Sequence, residues 1–393
     1  MNNVFDINTE SVFPDVLKWR RHIHANPDLS FHEKPTADYI HEQLSNLKNI
    51  EITRPMDNSV IVMLRGRHDG PTWALRADID ALPLTEESEV SFISTRPGVM
   101  HACGHDAHAA MLMGAVSILS NLQDKLHGSI KFIFQPAEEV PPGGARDLVN
   151  LGIVDDVEQI FGLHVLPDIP TGTLSIKEGV YVASSDNFDI TITGKGGHSS
   201  MPHKSVDPIV IASEVVLALQ HIVSRNIDPL IAPVLSIATF QGGDSYNVIP
   251  DSVRLAGTLR THSPEVRKRV PERIRQIVAG ITQAHEASYD IDWKSGYTVG
   301  RNHPEACAWV RKALCSHFPT GTLKESHKPI FSSEDFSSYQ EKVPGCFVFV
   351  GCGNPEKGAV WNVHNPHFLI DEDALKLGVK THLALVSALL PEM

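Results

Sequence analysis

The chain has 393 residues, enough for two or three domains, and 42% of them are hydrophobic, which argues against gross disorder. Its formal net charge is −13, from 34 basic and 47 acidic residues, and no long basic run is visible. Proteins that bind nucleic acids neutralise phosphates with basic side chains. We therefore expect a globular protein that has no nucleic-acid partner.

The N-terminal segment, residues 1–22, lacks the charged-then-apolar pattern of a signal peptide. No run of about 18 apolar residues is present, which argues against a membrane span. The 5 cysteines are odd in number and irregularly spaced, unlike a disulfide framework. These features predict a cytoplasmic protein that has no membrane partner.

Hydrophobic periodicity predicts alternating helices and strands in the first part of the chain. Helices are predicted over residues 13–25, 36–47 and 107–122, and strands over 60–66, 72–78, 129–139 and 159–165. This alternation is typical of an α/β domain in which helices flank a central, mostly parallel sheet. Functional sites in such sheets gather at the carboxyl ends of strands. Four candidate residues occur near these ends: Asp78, Glu138, Glu139 and His164.

The pattern changes after about residue 185 to a β-α-β-β-α-β order, which is the ferredoxin-like arrangement. Its strands are predicted over 187–196, 233–243, 252–262 and 288–293, and its helices over 208–224 and 264–287. Helices over 303–318 and 371–390 and a strand over 346–351 then restore the α/β pattern. We predict a smaller α+β lid domain, residues 186–298, that interrupts a catalytic domain made of residues 1–185 and 299–393.

The segment Met100–His108, MHACGHDAH, concentrates candidate metal ligands ahead of an apolar helix. Cysteine thiolate and neutral imidazole both bind borderline-soft divalent metals. Cys103 and His105 are two residues apart, so an extended segment would point both side chains to one side. Either residue alone has an ordinary structural explanation. Read together with Glu139, His164 and His364, they predict a dinuclear metal hydrolase.

Glu138 and Glu139 are adjacent carboxylates in the apolar context IFQPAEEV. Burying both in ionised form is costly, and a bound metal would relieve that cost for one of them. The other could then accept a proton from water and return it to the leaving group. We assign the base role to Glu138 and the ligand role to Glu139. Asp78 or Asp80 could hold a ligand histidine in place.

Six segments, in this order, resemble motifs of the M20 metallopeptidase and aminoacylase superfamily: MHACGHDAH, QPAEE, GLHV, GGHSSMPH, SSEDFSSY and HNPHF. The resemblance covers about residues 14–390 and is strongest to the amidohydrolase branch, which includes N-acyl-amino-acid, hippurate and auxin-conjugate hydrolases. It implies a catalytic α/β domain interrupted by a smaller lid domain that often dimerises. We accordingly expect a homodimer or homotetramer formed through the lid.

The resemblance also implies two divalent metal ions per subunit, for which we expect Mn or Zn, with Co or Ni as alternatives. It implies that the ligands are Cys103, His105, Glu139, His164 and His364, and that Glu138 is the catalytic base. Arg76-Ala77-Asp78 stands where the superfamily usually has a His-x-Asp metal motif. This departure is typical of the amidohydrolase branch and leaves the bridging ligand open.

Three residues of the lid resemble substrate-contacting positions of the superfamily. His198, in GKGGHSSMPH, resembles a histidine that stabilises the developing oxyanion, sometimes in a neighbouring subunit's site. Asn247 and Arg260 resemble positions that contact the substrate carboxylate, which guanidinium pairs with well. The segment 333–335 resembles a part of the pocket lining.

These residues predict a metal-dependent amidohydrolase that cleaves N-acyl amino acids or small peptides by means of metal-activated water. A di- or short-peptide metallopeptidase of the same superfamily is an alternative. A second is a metal-independent hydrolase that uses Cys103 as its nucleophile. A third is a non-catalytic metal-binding scaffold that keeps the fold.

Overall fold

The computed structural model describes residues 4–391, and the chain divides into two compact units. The first unit comprises the residues up to Gly179, Arg301–Lys328 and the residues from Asp335 onward. The second comprises Val180–Gly300 and Pro329–Glu334. The predicted lid, residues 186–298, falls inside the longer part of the second unit. Residues 329–334 also belong to the second unit, which the prediction did not include.

The predicted helices and strands all occur in the predicted order among the described residues, and several short elements that were not predicted lie between them. The strands are β1 (Ile50–Thr53), β2 (Val60–Arg65), β3 (His68–Asp78), β4 (His127–Gln135), β5 (Gln159–Pro170), β6 (Leu174–Ile176), β7 (Gly179–Val182), β8 (Ser184–Thr193), β9 (Gly197–His198), β10 (Val234–Gln241), β11 (Val248–Ile249), β12 (Ser252–Thr261), β13 (Ser288–Ser295), β14 (Gly300–Asn302), β15 (Leu323–Glu325) and β16 (Gly345–Gly353). The helices are α1 (Val4–Ala25), α2 (Lys34–Leu44), α3 (His105–Leu119), α4 (Gly144–Asn150), α5 (Pro208–His221), α6 (Pro264–Ala284), α7 (Pro304–His317), α8 (Ser337–Gln340) and α9 (Asp373–Leu385).

The first unit is built on an eight-stranded sheet with the order β1-β2-β4-β3-β5-β16-β6-β15. Its central strands β4, β3, β5 and β16 are parallel to one another, whereas β2 is antiparallel to β1 and β4, and β6 is antiparallel to β16. The last six residues of β4, IKFIFQ, are all buried, as expected for a central strand covered on both faces. The predicted α/β class with a mostly parallel sheet flanked by helices is confirmed.

Helix α3 occupies the centre of the first unit, where it packs against α1, α9 and β3. Every residue of α3 except Ser117 is buried. Its alanines and Gly114 let neighbouring helices approach closely. The same is true of Gly378 on α9, because a β-carbon at that position would lie 1.8 Å from the sulfur of Met111 on α3.

The second unit contains a four-stranded antiparallel sheet with the order β10-β12-β8-β13. Helices α5 and α6 pack against it, which gives the β-α-β-β-α-β order predicted from the sequence. Strands β9 and β11 form a separate short antiparallel pair. The core between helices and sheet is aliphatic, with Val215 on α5 and Ile274 on α6 both buried.

One helical stretch in the described residues, Pro208–Asn226, is long and apolar enough to cross a membrane by length and composition alone. Core helices of soluble proteins also pass this test. A third of the stretch (33%) is buried, and Ile211, Val215 and Leu219 belong to the core of the second unit. The absence of a membrane partner stays a prediction.

Replacing Gly378 by alanine should destabilise the first unit, because the added methyl group overlaps Met111. Such overpacking costs about 1–3 kcal/mol, which chemical denaturation would measure as a lower midpoint. Gly280, near the end of α6, is the matched control, since a β-carbon there meets nothing within 4 Å. Gly280→Ala should leave stability unchanged or raise it by up to about 1 kcal/mol. Equal midpoints for Gly378→Ala and the original protein would contradict this account of the packing.

Candidate metal centre

Three neighbouring strands of the first unit reach the candidate site at the same level. Asp78, the last residue of β3, pairs with Gln135, the last residue of β4. Arg76 pairs with Gly162 of β5, so His164 lies level with Asp78. β5 does not end near residue 165 as predicted but continues to Pro170, because β16 pairs with it along this length. The turn that carries Glu138 and Glu139 directly follows β4.

The local geometry of Cys103 and His105 differs from the extended segment predicted. Gly104 has a φ of 88°, in the left-handed region, and His105 is already the first residue of α3. Glycine suits this turn because it adopts positive φ without strain. A β-carbon at Gly104 would also lie 2.3 Å from the side chain of Val165. The turn still directs Cys103 and His105 to one place, since their ligand atoms and that of His164 lie within 4.8 Å of one another.

All five candidate ligands converge in the first unit. Cys103, His105 and His164 form one group, and Cys103, Glu139 and His364 form a second, each with ligand atoms within 4.8 Å. The Cys103 sulfur lies 3.5 Å from His164 Nε2, and His364 Nε2 lies 3.3 Å from Glu139 Oε1. The two groups overlap at Cys103, so the thiol sits between them.

His364 reaches the site from a distant part of the chain through a backbone contact. Its backbone N–H donates to the carbonyl of Ala102 at 2.7 Å, which fixes its loop beside Cys103. Its φ is 64°, a left-handed conformation that is uncommon for a residue with a β-carbon. Its side chain is 53% exposed, so this part of the site is open to solvent.

Glu138 and Glu139 flank the same imidazole. Glu138 Oε2 lies 4.0 Å and Glu139 Oε1 lies 3.8 Å from His105 Nε2. Both carboxylate side chains are only 8% exposed. The adjacent carboxylates are therefore drawn into one buried cluster, where a positive charge between them lowers their mutual repulsion.

Hydrogen bonds fix the tautomers of two candidate ligands, His105 on α3 and His164 on β5. His105 Nδ1 donates to Asp80, whose carbonyl and carboxylate oxygens lie at 2.9 and 3.1 Å. His164 Nδ1 donates to the carbonyl of Val165 at 2.7 Å. In both rings the Nε2 lone pair is left facing the cluster, which is the arrangement of a metal-binding histidine. The sequence analysis left open whether Asp78 or Asp80 holds a ligand histidine in place. In the structure Asp80 makes the short contacts with His105 Nδ1.

Asp78 acts mainly on His108, which lies in the MHACGHDAH segment but was not among the five ligand candidates. His108 Nδ1 lies 2.6 Å from Asp78, and its Nε2 accepts the backbone N–H of Val165 at 2.8 Å. Asp78 in turn accepts a hydrogen bond from the buried Arg76 at 2.6 Å. This network anchors β5 next to His164. His105 and His108 are three residues apart and therefore share one face of α3. This spacing was the signal in the sequence that could have identified His108.

The electrostatics of the cluster favour a cation. Burial alone would lower the pKa of His105, but the carboxylates of Asp78 and Asp80 outweigh it and raise that pKa to about 10. Burial, with the carboxylates of Glu139 and Glu138 nearby, raises the pKa of the Cys103 thiol well above its usual value. The surroundings therefore stabilise positive charge at His105 Nε2 and disfavour a thiolate that has no cation beside it.

The residues present fit divalent metal ions. Within residues 4–391, the buried atoms His105 Nε2 and Glu139 Oε1 have no hydrogen-bond partner. Unpartnered buried polar atoms are rare in native proteins and call for a ligand or another explanation. The sulfur, imidazole and carboxylate donors around them suit zinc, and manganese, cobalt and nickel accept similar sets.

The predicted lid residues all lie in the second unit. His198 on β9 pairs with Val248 on β11, and the carbonyl of Asn247 accepts the N–H of Ser199 at 3.1 Å. Arg260 on β12 donates to Ser333 at 3.0 Å. Asn247 thus lies beside His198, while the roles of His198, Asn247 and Arg260 toward substrate stay predictions.

Several known proteins are similar to this chain in sequence and in structure. The sequence profile of peptidase family M20/M25/M40 matches residues 74–388. An N-acyl-L-amino acid amidohydrolase of Geobacillus stearothermophilus is 46% identical, covering 75% of this chain and 80% of the relative. An N-acetylcysteine deacetylase of Bacillus subtilis is 41% identical over 92% of this chain and 93% of its own. Among solved structures, a Bacillus subtilis dinuclear metal binding peptidase of the M20 family superposes with a TM-score of 0.83, at 35% identity, over 98% of this chain and 100% of that one.

Replacing Asp80 by alanine should weaken metal binding, since it removes the carboxylate that contacts His105 Nδ1 at 3.1 Å and accepts the N–H of Glu139 at 2.9 Å, and leaves only the backbone carbonyl to hold His105. Loss of such a partner reduces metal affinity by about 10–100-fold. Competition with a fluorescent chelator would measure this. Asp156→Ala is the control, because Asp156 lies on the surface and pairs with Lys131. An Asp80→Ala protein that binds metal as tightly as the Asp156→Ala protein would rule out this role.

Proposed function

This chain belongs to peptidase family M20/M25/M40, and we propose that, as a metal-dependent amidohydrolase, it cleaves the amide bond of N-acyl amino acids. The observation that carries the proposal is the convergence of the five ligand candidates on one cluster beside Glu138. Short peptides are the alternative substrate class, because two thermostable carboxypeptidases of Saccharolobus solfataricus are also similar to this chain.

We propose that the cluster holds two divalent ions, with manganese or zinc foremost. Two overlapping ligand groups that share Cys103 support this number, as does the similar dinuclear peptidase. Such ions, when bound, polarise the amide carbonyl and make water acidic enough to attack near neutral pH. The thiolate, imidazoles and carboxylate would hold them, and Cys103, His105 and the Glu139 carboxylate are largely shielded from bulk solvent.

Glu138 carries the proton transfer in this proposal. Its carboxylate is buried next to the candidate ligands, so it can take a proton from the attacking water. It then delivers this proton to the amide nitrogen, which leaves as the free amino group. Glu139, which follows it in the chain, keeps its oxygen turned toward His364 and His105 as a ligand.

The tautomer of His198 supports the oxyanion role that the resemblance implies. Its Nδ1 accepts the backbone N–H of Ser200 at 3.2 Å and contacts the Ser200 hydroxyl at 2.9 Å. Nδ1 is therefore unprotonated in the neutral ring, and Nε2 carries the hydrogen. A histidine in this form can donate a hydrogen bond to a developing negative charge. We propose that role for His198, and substrate-carboxylate contacts for Asn247 and Arg260.

His198→Ala should lower kcat more than it changes KM.

The metal-independent alternative is less consistent with the site. A nucleophilic cysteine needs a neighbourhood that stabilises thiolate. The Cys103 thiol instead lies near the carboxylates of Glu138 and Glu139, which disfavour a thiolate unless a cation is bound. Glu139 and His364 would also have no role in such a mechanism.

We also propose a cytoplasmic location and assembly into a homodimer or homotetramer through the second unit. All 5 cysteines are free, which suits a reducing compartment. Exposed apolar side chains on the second unit, among them Val210, Leu217 and Leu230, support an interface there. Cell fractionation would test the location. Light scattering would test the assembly. A measured mass of 43.2 kDa, that of a single chain, would contradict a dimer or tetramer.

Replacing Glu138 by glutamine should lower kcat by about 10²–10⁴-fold, because the amide cannot shuttle a proton. Bound metal, measured by elemental analysis, should be retained, since the assigned ligands are untouched. Glu158→Gln is the matched control, because Glu158 is exposed and directly precedes β5. This variant should hydrolyse N-acyl amino acids at the original rate. Undiminished turnover by the Glu138→Gln enzyme would remove Glu138 from the mechanism.

Chelation should abolish hydrolysis of a panel of N-acetyl and N-benzoyl amino acids, and added manganese or zinc should restore it. Release of the free amino acid gives the rate, and the best substrate begins to define the acyl pocket. Activity that survives chelation but is destroyed by a thiol alkylator would favour Cys103 as nucleophile. Tight metal uptake with no hydrolysis of the panel or of short peptides would favour a scaffold.

A further inference from the structure

Glu33 is a fully buried carboxylate that the proposed mechanism does not use. It lies in the loop between α1 and α2, and it is 0% exposed. Its Oε1 accepts two backbone N–H groups, those of Phe31 at 2.9 Å and Ala137 at 2.7 Å. Its Oε2 accepts the side-chain amide of Asn58 at 2.8 Å. One carboxylate thus ties the N-terminal loop to the turn that follows β4.

Both backbone groups held by Oε1 belong to residues in an unfavourable conformation. Phe31 has a φ of 67° and Ala137 a φ of 53°, in the left-handed region that residues with a β-carbon rarely adopt. Such conformations cost about 1–3 kcal/mol and persist where the surrounding structure enforces them. One acceptor, Glu33 Oε1, contacts both of these residues.

The turn held at Ala137 is the one that carries Glu138 and Glu139. A second contact from the same N-terminal loop acts on it, because Asp80 Oδ2 accepts both the N–H of Glu139 at 2.9 Å and the hydroxyl of Ser30 at 2.7 Å. The backbone of this turn is therefore fixed on both sides of Glu138. The loop reaches the turn from more than a hundred positions earlier in the chain.

We infer that Glu33 is a positioning residue that sets the backbone of residues 137–139, so that Glu138 and Glu139 both reach the metal cluster. The inference rests on the proposed function. What matters is the placement of a hydrogen-bond acceptor at Oε1, not the negative charge. In agreement with this, burial and the nearby Asp80 raise the pKa of Glu33 to about 7, so the charge is only weakly favoured there.

Two conservative substitutions separate placement from charge. Glu33→Gln removes the charge but keeps an oxygen at the Oε1 position, and Asn58 can turn its amide to face the new NH₂ group. Glu33→Asp keeps the charge but draws the oxygens back by about 1.5 Å, one carbon–carbon bond. We expect the Gln variant to keep kcat and metal affinity within about 3-fold of the original, since the misplacement it causes is small.

The Asp variant should lose about 10–100-fold in kcat, with KM changed far less, because small misplacements of catalytic groups have effects of this size. Its affinity for zinc, measured by chelator competition without substrate, should fall about 10-fold, as when a ligand loses its support. Glu33→Ala should resemble the Asp variant. If Glu33→Ala does not fold, the comparison of Gln with Asp still decides the question.

Asp28→Asn is the matched control for structural damage. Asp28 is a buried carboxylate in the same loop, and it accepts the N–H and hydroxyl of Thr36 at 3.0 and 2.7 Å and pairs with Arg96. Among the described residues, its hydrogen bonds and ion pair go to Thr36, Arg96 and Ala81, not to the turn after β4. Its replacement should lower thermal stability but leave kcat and zinc affinity unchanged.

Equal behaviour of the Gln and Asp variants, in either direction, overturns the inference, as does a larger loss in the Gln variant. A loss in Asp28→Asn equal to that in Glu33→Asp overturns it too. The zinc measurement needs no turnover, so it keeps its meaning if N-acyl amino acids prove not to be substrates. In that case the proposed function fails, while the role of Glu33 toward the metal cluster is still decided.

Discussion

Burial of several ionisable groups at the ends of β3 and β4 is the constraint on which the rest of the structure depends. Each buried charge needs a partner, since an unpaired one would cost several kcal/mol. Arg76 meets this need in the sheet, donating to Asp78 at 2.6 Å and to Asp335 at 2.7 Å, all three side chains fully buried. The imidazole of His105 faces three further carboxylates, those of Asp80, Glu138 and Glu139, and compensates only part of their negative charge. The uncompensated part makes the site receptive to cations.

Around this charged centre, backbone contacts between distant segments do the positioning. The loop between α1 and α2 holds the turn after β4 through Glu33, and the loop of His364 is held by the carbonyl of Ala102. Hydrogen bonds to the backbone can act this way because backbone atoms have few degrees of freedom once secondary structure forms. The positions of the candidate base and ligands therefore depend on residues that are themselves assigned neither a metal nor a substrate contact.

The sequence predicted the order of elements, the α/β class and the five ligand candidates, because hydrophobic periodicity and clustered donor residues are local signals. It did not predict the turn at Gly104 or the extension of β5, since these depend on Val165 and on pairing with β16, which are tertiary. Glu33 and His108 escaped for a similar reason. Their partners, Ala137 and Asp78, are remote in sequence; the spacing of His105 and His108 marks one face of α3, but it does not identify Asp78 as the partner of His108.

The distance along the chain between Cys103 and His364 has a consequence for folding. Their convergence closes a loop that includes the whole second unit and most of the large sheet. Contacts of such long sequence separation form late, because the entropy of closing the loop must be met first. A nascent or partly unfolded chain therefore cannot present the complete ligand set. Tight metal uptake would report that the polypeptide has reached its final topology, and it would stabilise that topology by mass action.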